Sequence, residues 1–124
     1  MTTFTFERLN AWQKARIVVR DVYRLLRQLP PEENYGLSDQ LRRASVSVAS
    51  NLAEGSGRLS TKEKIHFCHM AYGSLMEVMC QLILAHDLGY IDKCALDEIR
   101  LTIEEAERVI NGYHNYLKNE ANKL

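Results

Sequence analysis

Apolar residues recur alternately three and four positions apart over about three heptads in the C-terminal part of the sequence. The members of this series are Leu96, Ile99, Ile103, Ala106, Ile110, Tyr113 and Leu117. The spacing places every member on one side of an α-helix, because a helix turns once in about 3.6 residues. A helix with one continuous apolar stripe buries it against other helices, so the series predicts the seam of a helical bundle.

Three further segments show shorter versions of the same pattern. Helix one is predicted by Trp12, Ala15, Val19, Val22, Leu26 and Leu29, helix two by Leu41, Ala44, Val48 and Leu52, and helix three by Ile65, Cys68, Tyr72, Leu75, Met79 and Leu82. Strand-type alternation is absent from the sequence. Because short connections make neighbouring helices antiparallel, we predict an all-α, up-down-up-down four-helix bundle with residues 1–124 as one domain.

Residues that cap or break helices indicate the helix boundaries. The predicted N-caps are Ser38, Ser60 and Asp92, with Glu63 completing a capping box after Ser60. The predicted stops are Pro30, Pro31, Gly55, Gly57 and Gly89. Gly73 lies in the middle of helix three, where we expect a bulky neighbour such as Trp12 or a tyrosine to rest on the gap.

The overall composition favours an ordinary globular domain. Of the 124 residues 46% are apolar, and 16 basic side chains balance 16 acidic ones. These totals exclude intrinsic disorder and a wholly basic nucleic-acid binder. Residues 1–10 lack the apolar run of a signal peptide, and no stretch is apolar over about 18 residues, so we expect a cytoplasmic protein.

The sequence indicates little metal or redox chemistry. Its three cysteines are Cys68, Cys80 and Cys94. Their odd number and the absence of a Cys-x-x-Cys spacing favour reduced thiols in the core over disulfides or zinc ligands. Glu63 and His66 match half of a di-iron carboxylate site, but a second Glu-x-x-His is missing. We expect no metal and no cofactor, with His66 and His69 on the surface.

Helix one also carries a periodic series of basic residues. Its members are Lys14, Arg16, Arg20, Arg24 and Arg27. The arginines fall opposite the apolar stripe, with Asp21 as the one acid among them, and can track the phosphates of a nucleic acid. The alternative is that these long side chains only solvate an exposed helix face. A symmetric oligomer would favour phosphate binding, because affinity grows with the number of contacts.

Arg108 and His114 provide one enzymatic hypothesis. Their spacing matches the loose Arg-x(4–6)-His pattern of helical ribonucleases of the HEPN type. Six residues of ideal helix turn the two side chains about 120° apart. Their convergence would therefore require a distortion at Gly112 or pairing across a dimer.

Polar residues near the apolar seams predict a network between helices two and three. We expect Arg43 or Asn51 to meet Glu77 across this helix pair. Such a contact would fix the register of the helices, and loss of one member would leave a buried polar group unpaired. A structural role is favoured over catalysis, because no nucleophile or electrophile accompanies these residues.

Several of these segments together resemble one known family. They are LSDQLRRASVSVASNLAEGSGR from Leu37 to Arg58, AYGSLME from Ala71 to Glu77, and LGYI from Leu88 to Ile91. In this order they resemble the four-helix-bundle proteins encoded by intervening sequences in bacterial 23S rRNA genes. The resemblance extends from the Leu9 segment to at least Ile91.

The resemblance implies an assembly and a set of signature residues. It implies a homo-oligomer, with pentamers as the known arrangement, and a relation to the accessory proteins of diversity-generating retroelements. Those relatives are basic and bind a reverse transcriptase and nucleic acid, whereas the present chain is neutral. The signature residues carried over by position are Arg43, Asn51, Glu54, Gly55, Arg58, Gly73, Ser74 and Glu77.

These observations predict a non-enzymatic, oligomeric module for binding or assembly. Its partner would be RNA, DNA or a nucleic-acid enzyme, held by the basic residues of helix one. Two alternatives stay open. One is a ribonuclease that uses Arg108 and His114, and the other is a purely structural oligomer.

Overall fold

The computed structural model describes residues 2–123 and consists of four long helices joined by short loops. The helices are α1, Asn10–Leu26; α2, Leu37–Ser56; α3, Thr61–Asp87; and α4, Lys93–Asn122. Short 3-10 helices, Thr5–Arg8 and Pro31–Glu33, precede α1 and α2. The described residues form no strand, and the prediction of an all-α four-helix bundle is confirmed.

The helices form a ring in chain order. α1 packs on α2 and α4, and α3 packs on α2 and α4, whereas the backbones of α1 and α3 do not approach each other closely in the described part of the chain. Lys14 pairs with Glu105, and one to two turns later along α1 Asp21 accepts a hydrogen bond from Thr102, so α1 and α4 run antiparallel. α1 and α3 are therefore diagonal partners, and their outer surfaces face away from each other.

The apolar stripe of α4 lies in the core as predicted. Its buried members are Leu96, Ile99, Ile103, Ala106, Ile110 and Leu117. On α1 the prediction is displaced by one residue at two positions, because Ala11 and Val18 are buried whereas Trp12 and Val19 are half-buried. The displacement arises because α1 packs on two neighbours and buries the side between them.

α3 is apolar around most of its circumference. Its buried apolar residues are Cys68, Ala71, Leu75, Val78, Leu82 and Ala85, whereas the predicted core residues Ile65, Tyr72 and Met79 are half-buried. Met70, Leu84 and Leu88 stay exposed. By length and hydropathy α3 meets the criteria of a membrane span, which the core helix of a bundle also meets.

The prediction of three core thiols is wrong for two of them. Cys68 is buried, and burial raises the pKa of its thiol to about 11. Cys80 and Cys94 are exposed. The apolar surroundings of Cys80 in the sequence conceal its outward position, because a helix that is apolar all round does not define a buried side.

The start of α2 also differs from the prediction. The helix begins at Leu37, so the predicted N-cap Ser38 is already in its first turn and is buried. Glu33 supplies the cap instead. Its Oε1 accepts a hydrogen bond from the Leu37 backbone N–H at 3.0 Å, and its Oε2 accepts one from the Tyr90 hydroxyl at 2.8 Å. Glu33 thereby joins α2 to the loop between α3 and α4, and these hydrogen bonds lower the pKa of its carboxyl.

Other helix ends agree with the sequence. Ser60 and Asp92 are N-caps, because each side-chain oxygen accepts a hydrogen bond from the backbone N–H three residues later, at 3.1 Å and 2.8 Å. Gly89 follows α3 with a φ of 83°, as predicted for a helix C-terminus. Gly55, in contrast, does not stop α2, which continues to Ser56.

Glu33→Gln should destabilise the protein at neutral pH and much less in acid. The folded pKa of Glu33 lies below the ordinary value of 4.5, so its contribution is present above pH 4.5 and is lost as the pH falls through the folded pKa. Urea unfolding of both proteins at pH 7 and pH 3 measures this difference. The neighbouring exposed residue provides the control variant Glu32→Gln. An equal stability loss at both pH values would contradict the charge-dependent cap.

Candidate nucleic-acid interface

Three predicted arginines on the outer surface of α1 and a fourth at its C-cap form a line, here called the arginine line. They are Arg16, Arg20, Arg24 and Arg27. All four are exposed, because they lie opposite Ala15, Val18 and Val22, which are buried in the core. At a rise of 1.5 Å per residue the line is about 16 Å long. Duplex DNA presents one phosphate charge per about 1.7 Å of its axis, so the line can meet several phosphates.

The arginine line is held by weak contacts at the surface. The Arg16 guanidinium lies over the Trp12 ring, 5.3 Å from its centre. Asp21 Oδ1 lies 3.1 Å from Arg20 Nε and 3.8 Å from Arg24 Nη1. Exposed ion pairs of this kind contribute only about 0–1 kcal/mol to stability, so a phosphate can replace them readily.

Acidic residues border the arginine line on the side of α4. Lys14 lies on this side, with its Nζ 3.8 Å from Glu105 Oε1, and not in the line itself. A cleft of about 410 Å³ separates the two helices, and Asp21 and Glu98 are among its lining residues. The mixed charge of this cleft makes it a poor site for an anion.

Two arginines of α2 border the line on its other side. Arg42 and Arg43 lie beside Tyr23 in a shallow pocket of about 360 Å³. Both contact Asp39, at 3.6 Å and 3.0 Å, and the Arg43 side chain is 80% exposed. From the sequence, Arg43 was predicted to be structural, and Arg42 was not predicted as a site residue. Helix phase would have found Arg43, which lies opposite the apolar stripe of α2, whereas Arg42 lies at the edge of that stripe and is half-buried.

A groove between α1 and α2 joins this pocket to Trp12. Its second part, of about 320 Å³, is lined by Trp12, Arg16, Val19, Val46, Ala49, Ser50 and Ala53. Val46 and Ser50 line both parts, so the two are continuous. The groove therefore combines arginines with an aromatic ring at each end, a combination that suits the phosphates and bases of a nucleic acid strand.

Arg108 and His114 have separate partners. Two hydrogen bonds join the Arg108 guanidinium to the Glu105 carboxylate, at 2.6 Å and 3.2 Å, and raise the pKa of Arg108. His114 Nε2 lies 2.8 Å from His69 Nε2 on α3, and burial lowers the pKa of His114. α4 is a regular helix across Gly112, so the distortion that would bring the two side chains together within one chain is absent, and the ribonuclease hypothesis is left with pairing across a dimer.

Residues 2–123 hold no cluster of three or more histidine, cysteine, aspartate or glutamate side chains that is arranged to bind a metal ion. Glu63 and His66, which match half of a di-iron site in sequence, are both exposed. His86 is half-buried, with its Nδ1 2.9 Å from the Ile91 carbonyl oxygen. This contact satisfies one nitrogen of the ring.

Comparison with known proteins places this fold in a family. The profile of the 23S rRNA-intervening sequence proteins matches residues 7–112. The chain belongs to this family. A similar solved structure is that of a protein of unknown function from the S23 ribosomal protein family of Bacteroides thetaiotaomicron VPI-5482. The two structures superpose with a TM-score of 0.77 and share 18% sequence identity. The match covers 84% of this chain and 97% of that chain. At this identity the likeness shows the fold alone. No curated protein matches the chain.

Two residues that the sequence resemblance singled out, Asn51 and Ser74, take part in the contact between α2 and α3. Asn51 Nδ2 donates to the backbone oxygen and to Oγ of Ser47, both at 2.9 Å, and Ser47 Oγ lies 2.8 Å from Ser74 Oγ. The predicted contact of Arg43 or Asn51 with Glu77 is wrong. Arg43 pairs within α2, and Glu77 is exposed. Neutral groups, rather than charged side chains, therefore make the polar contacts between these helices: the two serine hydroxyls, and Gln81 Nε2, which donates to Gln40 Oε1 at 3.3 Å.

Gly55 marks a close approach of α2 to α3. A β-carbon at this position would lie 2.6 Å from Phe67 Cβ. Arg58 covers the Phe67 ring, with its Cζ 4.7 Å from the ring centre, and its guanidinium lies 3.7 Å from Glu54 Oε1. Gly55 and Arg58 thus lie against one phenylalanine at the end of the bundle, and Glu54 pairs with Arg58.

Gly73 has a different environment. It is exposed, and a β-carbon there would meet no atom within 4 Å. The prediction that Trp12 or a tyrosine covers it is wrong for a simple reason: Gly73 faces solvent, and α1, which carries Trp12, lies diagonally across the bundle.

Gly55→Ala and Gly73→Ala should change stability in opposite directions. Overpacking against Phe67 should destabilise Gly55→Ala by about 1–3 kcal/mol. Gly73→Ala should stabilise the protein by about 0.5–1 kcal/mol, because alanine favours the helix and the new methyl group has room. Urea unfolding of both variants gives the comparison. A Gly55→Ala protein as stable as Gly73→Ala would show that the close approach to Phe67 does not constrain position 55.

Proposed function

We propose that this protein is a non-enzymatic, cytoplasmic module that forms a homo-oligomer and binds the phosphate backbone of RNA or DNA through the arginine line. The observation that carries the proposal is the exposure of all four arginines in one line along α1 and its C-cap. Arginine suits this role, because its planar guanidinium remains charged and donates two parallel hydrogen bonds to a phosphate.

Local charge supports binding although the whole chain is neutral. The formal net charge is 0, but acidic residues are concentrated elsewhere, for example along α4. On the outer side of α1 and α2, Arg42 and Arg43 join the arginine line, and the acids that pair with these arginines are Asp21 and Asp39. The electrostatic potential at this surface depends on how the charges are distributed and not on the net charge of the chain.

Self-association would multiply the contacts between arginines and phosphates, because each copy of the chain adds its own arginine line. α3 exposes Met70 and Leu84, and Leu88 is exposed directly after its last residue, with 44%, 47% and 60% of their surfaces accessible. Apolar groups of this size on one helix suit an interface between copies of the chain. α3 is diagonal to α1, so such an interface leaves the arginine line free. The family resemblance supports a pentamer and a relation to the accessory proteins of diversity-generating retroelements.

Reversal of three charges in the arginine line should abolish nucleic-acid binding at moderate salt. The variant combines Arg16→Glu, Arg20→Glu and Arg24→Glu, and its binding to labelled RNA and duplex DNA is measured by fluorescence anisotropy at several salt concentrations. The slope of log affinity against log salt should fall by about three for each protomer in contact, because each lost phosphate contact removes about one unit.

A matched control separates the arginine line from total charge. Lys62→Glu, Arg100→Glu and Lys118→Glu change the net charge equally, and these three residues are exposed on α3 and α4. Equal loss of binding in the control would overturn the assignment to α1, and no binding by the native protein at low salt would overturn the proposal itself.

The same binding reactions test the ribonuclease alternative. The labelled RNA should be recovered intact after incubation with the native protein. Cleavage that is lost in Arg108→Ala and His114→Ala would favour the ribonuclease instead.

A further inference from the structure

His69 and His114 bring two imidazole nitrogens together across the groove between α3 and α4. Their Nε2 atoms are 2.8 Å apart, and the ring centres are 4.7 Å apart with a tilt of 38° between the ring planes. The two residues are 45 positions apart in the sequence. His69 is exposed and His114 is half-buried, so the pair lies at the surface of the bundle.

The two imidazole nitrogens are suited to act as the two protein ligands of a metal ion. Neutral imidazole nitrogens are preferred ligands of divalent nickel and copper. At a metal–nitrogen distance of about 2.0–2.1 Å, nitrogens 2.8 Å apart subtend about 86° at the ion. This angle is close to the right angle between adjacent ligands in square-planar or octahedral coordination. Tetrahedral zinc would require a separation of about 3.3–3.4 Å.

We propose that His69 and His114 form a two-histidine site for Ni²⁺ or Cu²⁺ on the outer surface between α3 and α4. Water molecules complete the coordination of the ion. In the metal-free pair one ring donates its Nε2 proton to the other ring. Metal binding moves that proton to Nδ1 of the same ring, so both Nε2 lone pairs face the ion and no proton is released.

The surroundings provide room for a hydrated ion. Gly73 lies one turn after His69 on α3, is exposed, and has open space where a side chain would be. Lys118, one turn after His114 on α4, opposes binding, because its charge acts on His114. The site lies on α3 and α4, away from the arginine line. The metal-binding proposal is therefore independent of the proposed nucleic-acid function.

An ion at this position would join α3 to α4. A ligand that binds the folded state alone stabilises it in proportion to the logarithm of ligand concentration over Kd. The unfolded chain cannot preserve the site, because its two ligands come from different helices. Metal binding should therefore raise the melting temperature as well as give a binding signal.

Calorimetric titration of the untagged protein with Ni²⁺ tests the site. Cys80→Ser and Cys94→Ser provide a background without exposed thiols that compete for the metal. One ion should bind per chain. His69→Asn and His114→Asn should each weaken binding by at least about tenfold, because loss of an outer-shell partner alone lowers affinity about 10–100-fold. The nickel-dependent rise in melting temperature should disappear in both variants.

His66→Asn is the matched control, since His66 is exposed on the same helix three residues earlier. Its binding should be unchanged, whereas a loss equal to that of His69→Asn would indicate a site on α3 alone and overturn the proposal. Native-like nickel affinity in His114→Asn would overturn it as well. The electron paramagnetic resonance spectrum of bound Cu²⁺ should show two imidazole nitrogens, and one nitrogen or none would contradict the pairing. Tighter binding of Zn²⁺ than of Ni²⁺ would contradict the right-angle geometry.

Discussion

The close packing of α2 on α3 is the contact on which the rest of the bundle depends. Gly55 brings the α2 backbone against Phe67, and two serine hydroxyls and then two glutamine amides make polar contacts further along. α1 then packs on α2, and α4 packs on α3 and closes the ring against α1. Because α1 is held on two sides, it buries the surface between its neighbours and leaves its arginines outside.

Helical periodicity was sufficient to predict most of the fold. The α4 stripe and the caps at Ser60 and Asp92 depend on residues within one helix or one turn, so they can be inferred locally. The cap of α2 could not be inferred in this way, because Glu33 is fixed in part by Tyr90, 57 residues away. The outward position of Cys80 was missed because α3 lacks a polar face that would define its orientation.

In the candidate site too, features set within one helix could be predicted from the sequence, whereas contacts between helices could not. Exposure of the arginine line follows from helix phase alone, and the sequence predicts it correctly. The approach of Arg42 and Arg43 to Tyr23, and of His69 to His114, depends on the register between helices, which one sequence does not specify. The predicted contact of Asn51 with Glu77 failed for this reason: the helix pair was correct, but serine hydroxyls occupy the interface.

The position of Trp12 gives the molecule a built-in optical probe. It is the one tryptophan of the chain, lies half-buried at the end of the groove between α1 and α2, and contacts the Arg16 guanidinium on its face and the Phe6 ring at its edge. Indole emission responds to the polarity and charge of its surroundings. Displacement of Arg16 by an anion, or separation of α1 from α2, therefore changes the fluorescence of the native protein without any label.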